Sequence, residues 1–320
     1  MNMQSQSQSQ TQTQSQTQTQ APPPTTAQYC ITHETRYSYT IPVALSQQLV
    51  HLFPRVCDWQ QCMEQTLTIE PPPTHRHDAL DVFGNPLTRL SFESAHDTLT
   101  LTAHLRIDVQ TRTLPALENA PAWETVSELL DYHADTSPSD DVLHACQFRY
   151  ESPAVRLKRA FVQYSADCFA EGTPVLKAAQ HLMQKIFTEF TFDSSATEVT
   201  TPLMDVLEHK RGVCQDFAHL MIACLRSRGL AARYVSGYLL TAPPPGQPRL
   251  VGADASHAWV SVFCPQNGWV DFDPTNNMLP GNEHITLAWG RDFSDVSPLR
   301  GVILGGGNHE LDVKVTVTPR

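Results

Sequence analysis

Between residues 213 and 225 the chain places Val213, Phe217, Leu220, Met221, Cys224 and Leu225 at i, i+4, i+7, i+8, i+11 and i+12. That spacing is one stripe of an α-helix. Ala218 and Ile222 broaden the stripe, and Gly229 supplies a stop. A helix apolar on so much of its circumference must be wrapped by other elements, so it runs through a core.

The surroundings supply the wrapping. Tyr29, Ile31, Tyr37, Tyr39 and Ile41 share one parity, and Leu99, Leu101, Ala103, Leu105, Ile107 and Val109 repeat the pattern. Period two marks strands with one wet face. The run Asp81-Val-Phe-Gly-Asn85-Pro86 between them is a turn signal. Residues 28–112 therefore read as an antiparallel, sandwich-like β-domain. After a connecting segment over 113–152, helical spacing predicts helices at 153–170, 174–190 and 202–209. Thr173 would cap the second of these, with Pro174 at its first position. Strands are expected at 231–240, 257–264 and 269–273, with a Pro-rich loop over 242–248. Leu311, Val313, Val315 and Val317 form a last strand. The fold class is α+β, with a second domain over 153–320. Residues 1–27, dominated by alternating Gln with Ser or Thr, have nothing apolar to bury and read as a disordered leader.

Bulk composition narrows the function. A formal charge of −11 without a dense Lys/Arg run argues against nucleic acid as a partner. No apolar run is long enough for a membrane span, and no basic-then-apolar start marks a secretory signal. Eight cysteines scattered over 320 residues are unlike a disulfide scaffold. The expected location is the cytoplasm. Cys57 and Cys62 lack a second ligand pair, and Cys214, His219 and Cys224 spread around their helix. Neither set reads as a metal site, and no cofactor motif is visible.

Three residues carry chemistry. Cys214 falls in the first turn of the core helix, where unpaired N–H groups and the macrodipole favour thiolate over thiol and could hold an oxyanion. Gly212 would let a substrate approach the backbone. Cys224 lies on the stripe and reads as core. His257 opens a strand, and Asp273 ends the next one before Pro274. A thiol nucleophile needs an imidazole, and the imidazole needs an orienting group. Register decides whether the last two meet. A two-residue turn between the strands would put Val260 opposite Asp273 and His257 on the wrong face. A three- or five-residue loop puts Trp259 opposite Asp273, with His257 its diagonal neighbour. An odd loop at 264–268 is therefore expected. Asp271 would then face Ser261, too far from His257 to serve. Asp216 and His219 are three apart and could support the site or form a solvated face.

The motifs Gly212-Val-Cys214-Gln-Asp-Phe-Ala-His-Leu, Ala232-Arg-Tyr-Val-Ser-Gly-Tyr238, Ser256-His257-Ala-Trp-Val and Phe272-Asp273-Pro-Thr-Asn together resemble the bacterial transglutaminase-like proteins. Thr35-Arg-Tyr-Ser-Tyr39, Leu52-Phe-Pro-Arg55, Asp81-Val-Phe-Gly-Asn85 and the stretch Gly290 to Pro298 extend the likeness over residues 28–318. The resemblance implies a papain-like core with a Cys-His-Asp triad: Cys214 the nucleophile, His257 the base and then acid, Asp273 the orienter. The expected activity is acyl transfer from a peptide, isopeptide or glutamine amide through a thioester. Hydrolysis is favoured over cross-linking because water is abundant, and the partner is a peptide or protein substrate. The other class of reading is a binding or assembly module that keeps the fold without catalysis.

Overall fold

The computed structural model describes residues 26–134, 137–197, 201–240 and 256–320. Most of the expected leader and all of the Pro-rich 242–248 loop lie outside them.

The N-terminal domain is organised by one strand. β1 (Thr26–Val50) is 25 residues long and pairs with four other strands. Its first half pairs with β5 (His96–Gln110) on one side and β13 (His309–Pro319) on the other. Its second half pairs with β4 (Pro86–Phe92) and β12 (Leu299–Gly305). The β5 register breaks between Ser38 and Val43, around Pro42, which has no N–H to give a ladder. β2 (Gln60–Glu70) extends the β5 side and β3 (His75–Leu80) the β4 side. The halves share a small core of Val50, Leu52, Leu90, Phe92, Leu99, Leu101, Ala103 and Leu299. The alternation along β5 is kept in full: every residue of the apolar parity from Leu99 to Val109 is buried. Ile41, which shares the apolar parity of β1, is exposed, because it lies where the β5 ladder breaks.

The last two strands join this sheet, not the core that the sequence reading placed over 153–320. An alternating strand announces one wet face but not which sheet edge will accept it. Here the long edge of β1 takes both.

The core has a four-stranded antiparallel sheet ordered β10-β9-β8-β11: Gly268–Phe272, Ser256–Cys264, Ala232–Leu239 and His284–Gly290. Helix α6 (Cys214–Arg226) packs across β8 and β9, and every residue from Asp216 to Arg226 is buried. Helices α1 (Trp123–Leu129), α2 (Asp140–Cys146), α3 (Arg159–Tyr164), α4 (Val175–Glu189) and α5 (Leu203–His209) surround it, with a short α7 (Phe293–Val296). β6 (Thr191–Phe192) and β7 (Arg211–Gly212) form a small parallel pair just before α6.

Two expected helix details differ. Only Arg159–Tyr164 of the 153–170 span is α-helical. The Ser165 hydroxyl donates back to the Phe161 carbonyl at 2.8 Å, and the chain tightens into a 3-10 turn over Ala166–Cys168. Thr173 does not cap α4. Pro174 occupies the cap position, and the Pro121 carbonyl accepts the Val175 N–H at 2.8 Å.

The two domains are joined along the outer edge of β11. The Gln60 amide meets both backbone groups of Thr286 at 2.7 and 2.9 Å, and the Asn85 amide meets both of Trp289 at 2.8 and 3.0 Å. Two side-chain amides thus replace a missing strand and satisfy an otherwise open edge. Asn85 is presented by the expected turn, in which the Asp81 carboxylate accepts the Phe83 and Asn85 N–H groups and Gly84 takes φ 76°. Farther along, His33 Nδ1 and the Tyr238 hydroxyl are 2.8 Å apart in the buried contact between the sheets.

Candidate active site

Cys214 is the first residue of α6, after Val213 at the cap position. Valine cannot cap, so Asp216 does it from inside the first turn: its Oδ2 accepts the Val213 N–H at 2.8 Å and the Thr197 hydroxyl at 2.6 Å. Burial pushes the Asp216 carboxyl up, against the pull of these two bonds. A Cβ on Gly212 would come within 2.6 Å of the same oxygen, so the Asp216 carboxylate accounts for the glycine. Asp216 and His219 do not pair. His219 Nε2 accepts the Phe293 N–H at 3.1 Å, and burial drops its pKa to about 4. Both residues are buried, so they are not a solvated face either.

His257 and Asp273 are brought together by register. Cys264 pairs with Gly268 and Val260 with Phe272, across a three-residue loop, Pro265–Asn267. Gly268 takes φ 66°, which closes the loop without strain. The next position opposite Asp273 is Trp259. His257 Nε2 lies 2.8 Å from Asp273 Oδ2. Cys214 stands beside the same ring, near enough for its sulfur to favour the charged imidazole. Of the three residues named from the sequence, His257 and Asp273 are in direct contact and Cys214 lies beside them. Asp271 faces Ser261 as expected and takes part in a different network, accepting from Arg112 at 2.6 Å and from the Trp259 indole at 3.1 Å.

Asp273 is completely buried. Its Oδ1 accepts the Thr275 and Asn276 N–H groups at 2.9 and 3.2 Å, which winds the chain into a turn behind it. Its Oδ2 accepts from His257, from Asn276 Nδ2 at 2.7 Å and from His284 Nε2 at 3.1 Å. Burial works against the charge, but the donors outweigh it and hold the carboxyl well below the usual range. Burial likewise opposes a charged His257. Hydrogen bonds to Asp273 and Cys214, and their charge, overcome that and raise the ring to about 10. In this arrangement the imidazole carries its second proton at neutral pH, donating to Asp273 from Nε2.

His284 and Asn276 were not singled out in the sequence. Asn276 stands in the Asp-Pro-Thr-Asn motif, where an amide three residues after the carboxylate was a usable signal. His284 is completely buried and gave no signal, because a single His before an apolar strand is indistinguishable from filler. Its ring meets Trp259 edge-on at 5.2 Å.

The ligating atoms of His257, Asp273 and His284 lie within 4.8 Å of one another. Both rings hydrogen-bond the same carboxylate oxygen, at 2.8 and 3.1 Å, so the cluster is closed by its own hydrogen bonds.

This fold and this cluster define a class. The bacterial transglutaminase-like N-terminal region matches residues 29–108, and the transglutaminase-like superfamily core matches residues 162–274. An uncharacterized protein of Mycobacterium tuberculosis is 38% identical over 92% of this chain and 93% of its own length. An uncharacterized protein of Mycobacterium leprae is 31% identical over 90% of this chain and 97% of its own. The chain belongs to the bacterial transglutaminase-like family. Among solved structures, a candidate cysteine protease from Cytophaga hutchinsonii superposes with a TM-score of 0.71 at 20% identity, covering 92% of this chain and 91% of that one. That likeness is one of fold. A short stretch, 23% of this chain and 11% of the relative, is 36% identical to a protein-glutamine gamma-glutamyltransferase of Pseudomonas aeruginosa. Among the described residues no helix is long and apolar enough to cross a membrane.

Proposed function

We propose that the chain is a cysteine-dependent acyl-transfer enzyme acting on amide bonds of peptides or proteins. The observation that carries this reading is the 2.8 Å hydrogen bond between His257 and the buried Asp273, which favours the charged ring beside Cys214. A cationic ring next to a thiol at a helix N-terminus stabilises the thiolate that attacks a carbonyl. The thiolate adds to the amide carbon, the first-turn N–H groups of α6 face the developing oxyanion, and His257 gives its proton to the leaving amine. A thioester on Cys214 remains. His257, now neutral, takes a proton from water as it attacks, and the acid product leaves. Cross-linking would follow the same path with an amine in place of water. Hydrolysis is favoured because water is abundant and a transferase must exclude it. The membership of the family and the glutamyltransferase likeness support the coarser reading, a cysteine enzyme of transglutaminase type. A reducing compartment, the cytoplasm, suits a chain whose eight cysteines are all unpaired. No nucleic-acid or membrane partner enters this reading.

The test is alkylation by iodoacetamide at pH 6, with sites mapped by mass spectrometry, alongside turnover of a peptide and isopeptide library. Cys214 is expected to label well before the exposed Cys30, and the advantage should vanish in His257→Gln. Equal rates at the two cysteines, together with library turnover that survives Cys214→Ala, would overturn the proposal.

A further inference from the structure

The strands at the rim of the N-terminal sheet are not alike. β2, β3, β12 and β13 each pair with a single strand and leave their other side open among the described residues. An open side is a row of unpaired N–H and C=O groups, which proteins protect with charge, proline or a bulge. Three of the four are protected. β2 has a register shift between Cys62 and Glu64 and carries Glu64 and Glu70. β3 carries Arg76 and Asp78. β13 carries Glu310, Asp312 and Lys314.

β12 has none of these safeguards. After Arg300 the chain reads Gly301-Val-Ile-Leu-Gly-Gly-Gly-Asn308, without a charge or a proline. Every residue from Arg300 to Gly305 is exposed. Val302 and Leu304 share one face of the strand, at 70% and 65% exposure. Leu45 of β1, paired with Leu304, extends that face. Ile303 is 38% exposed on the other face. The strand therefore offers apolar side chains on both faces and a free ladder between them, which is the surface that strand addition uses.

We propose that β12 is the contact surface of a homodimer, in which it pairs antiparallel with β12 of a second copy. Antiparallel pairing of a strand with itself is two-fold symmetric, so each copy supplies the surface the other needs. The sequence selects the register. Centring the two-fold axis on Ile303 sets Val302 opposite Leu304 of the second copy and Gly301 opposite its Gly305, apolar against apolar and small against small. Arg300 then falls opposite Gly306, outside the apolar run. Centring on Val302 would instead set Arg300 against Leu304. The run β3-β4-β1-β12 of each copy joins the other as one continuous sheet. A standard interface covers about 800 Å² on each side, more than one short strand gives, so the dimer is weak and forms with concentration. Each copy carries a formal charge of −11, while residues 301–308 carry none. The attraction is apolar and the opposing force is long-range repulsion, so added salt strengthens the dimer.

Sedimentation velocity of the full chain under reducing conditions, over about 1–300 μM and at low and moderate salt, is the test. A monomer–dimer equilibrium is expected with a dissociation constant of about 10–100 μM, tighter at the higher salt. Val302→Lys sets two like charges close together at the pairing and should weaken the dimer at least about tenfold. The fold should survive, because the Val302 side chain is at the surface. A cross-link reads the register independently. Residues on a two-fold axis of a ladder have Cα atoms about 4.5–5.5 Å apart, within disulfide reach. Under mild oxidation Ile303→Cys should form a covalent dimer much faster than Leu80→Cys, a 68% exposed position on β3, or than the parent chain with its exposed Cys30. A chain that stays monomeric at about 300 μM, a dimer unchanged by Val302→Lys, a dimer weakened by salt, or cross-linking at Ile303→Cys no faster than at Leu80→Cys would each overturn the assignment.

Discussion

Asp271 and Asp273 stand two residues apart on one face of the core sheet, and both are held ionised against their burial, by opposite kinds of partner. Asp271 is held mainly by the fixed charge of Arg112, with Arg233 adding to it and the Trp259 indole donating at 3.1 Å. Asp273 has no arginine. Its donors are two imidazoles and an amide, together with the backbone of its own turn. Arg112 cannot give up its proton, so the Asp271 pair is inert and structural. An imidazole can, so the Asp273 cluster can pass charge to a reacting group. The lesson is that burial of a carboxylate says little about its role until the proton affinity of its partner is known.

Substitution at both acids should separate the roles. Asp273→Asn is expected to lower kcat by about 10³- to 10⁴-fold, by releasing the His257 ring from its orientation and charge, with folding largely retained. Asp271→Asn should leave Arg112 buried without a full counter-charge and cost about 3–5 kcal/mol of stability, with near-normal kcat per folded molecule. Urea unfolding and active-site-normalised turnover measure the pair. The contrast fails if Asp271→Asn abolishes turnover in folded protein while Asp273→Asn does not.

The pH response sharpens the same contrast. His257 is raised in the folded chain from 6.5 to about 10. A raised basic group contributes stability that is fully present below its unfolded pKa, here 6.5, and is lost as pH rises through about 10. Turnover that needs the ring proton should fall over the same upper window. In Asp273→Asn the alkaline fall should move downward, and in Asp271→Asn it should not. A pH–rate profile of each variant reads this directly, and an unmoved limb in Asp273→Asn would count against the ring as acid.

A smaller effect is expected from His284→Gln. It removes one of three donors to Asp273 Oδ2, which should lower kcat by about tenfold with KM nearly unchanged. A change confined to thermal stability would make His284 a packing residue only. The smallest effect concerns the start of α6. Thr197→Val deletes the hydroxyl bond to Asp216 and should cost about 1 kcal/mol in urea unfolding, with His257 still titrating as in the parent chain.

Much of this was legible in the chain itself. The core helix, the β5 alternation, the odd loop between β9 and β10 and the rejection of Asp271 all follow from periodicity, because each depends on neighbours close in sequence. His284 was not legible, since its contact with Asp273 depends on the neighbouring loop turning back to start a fourth strand. Nor was the contact of Arg233 with Trp269 and Trp289, since the three come from β8, β10 and β11. Periodicity also could not assign residues 299–319 to a sheet.

By itself, then, the order of residues determined which elements form, which faces they bury and which three side chains could do chemistry, because turn residues and apolar spacing act over a few positions. Only the tertiary structure decided what surrounds those side chains. Whether a carboxylate meets an arginine or an imidazole, and whether a strand completes one sheet or another, depends on contacts between segments far apart in the chain, and no local pattern encodes those.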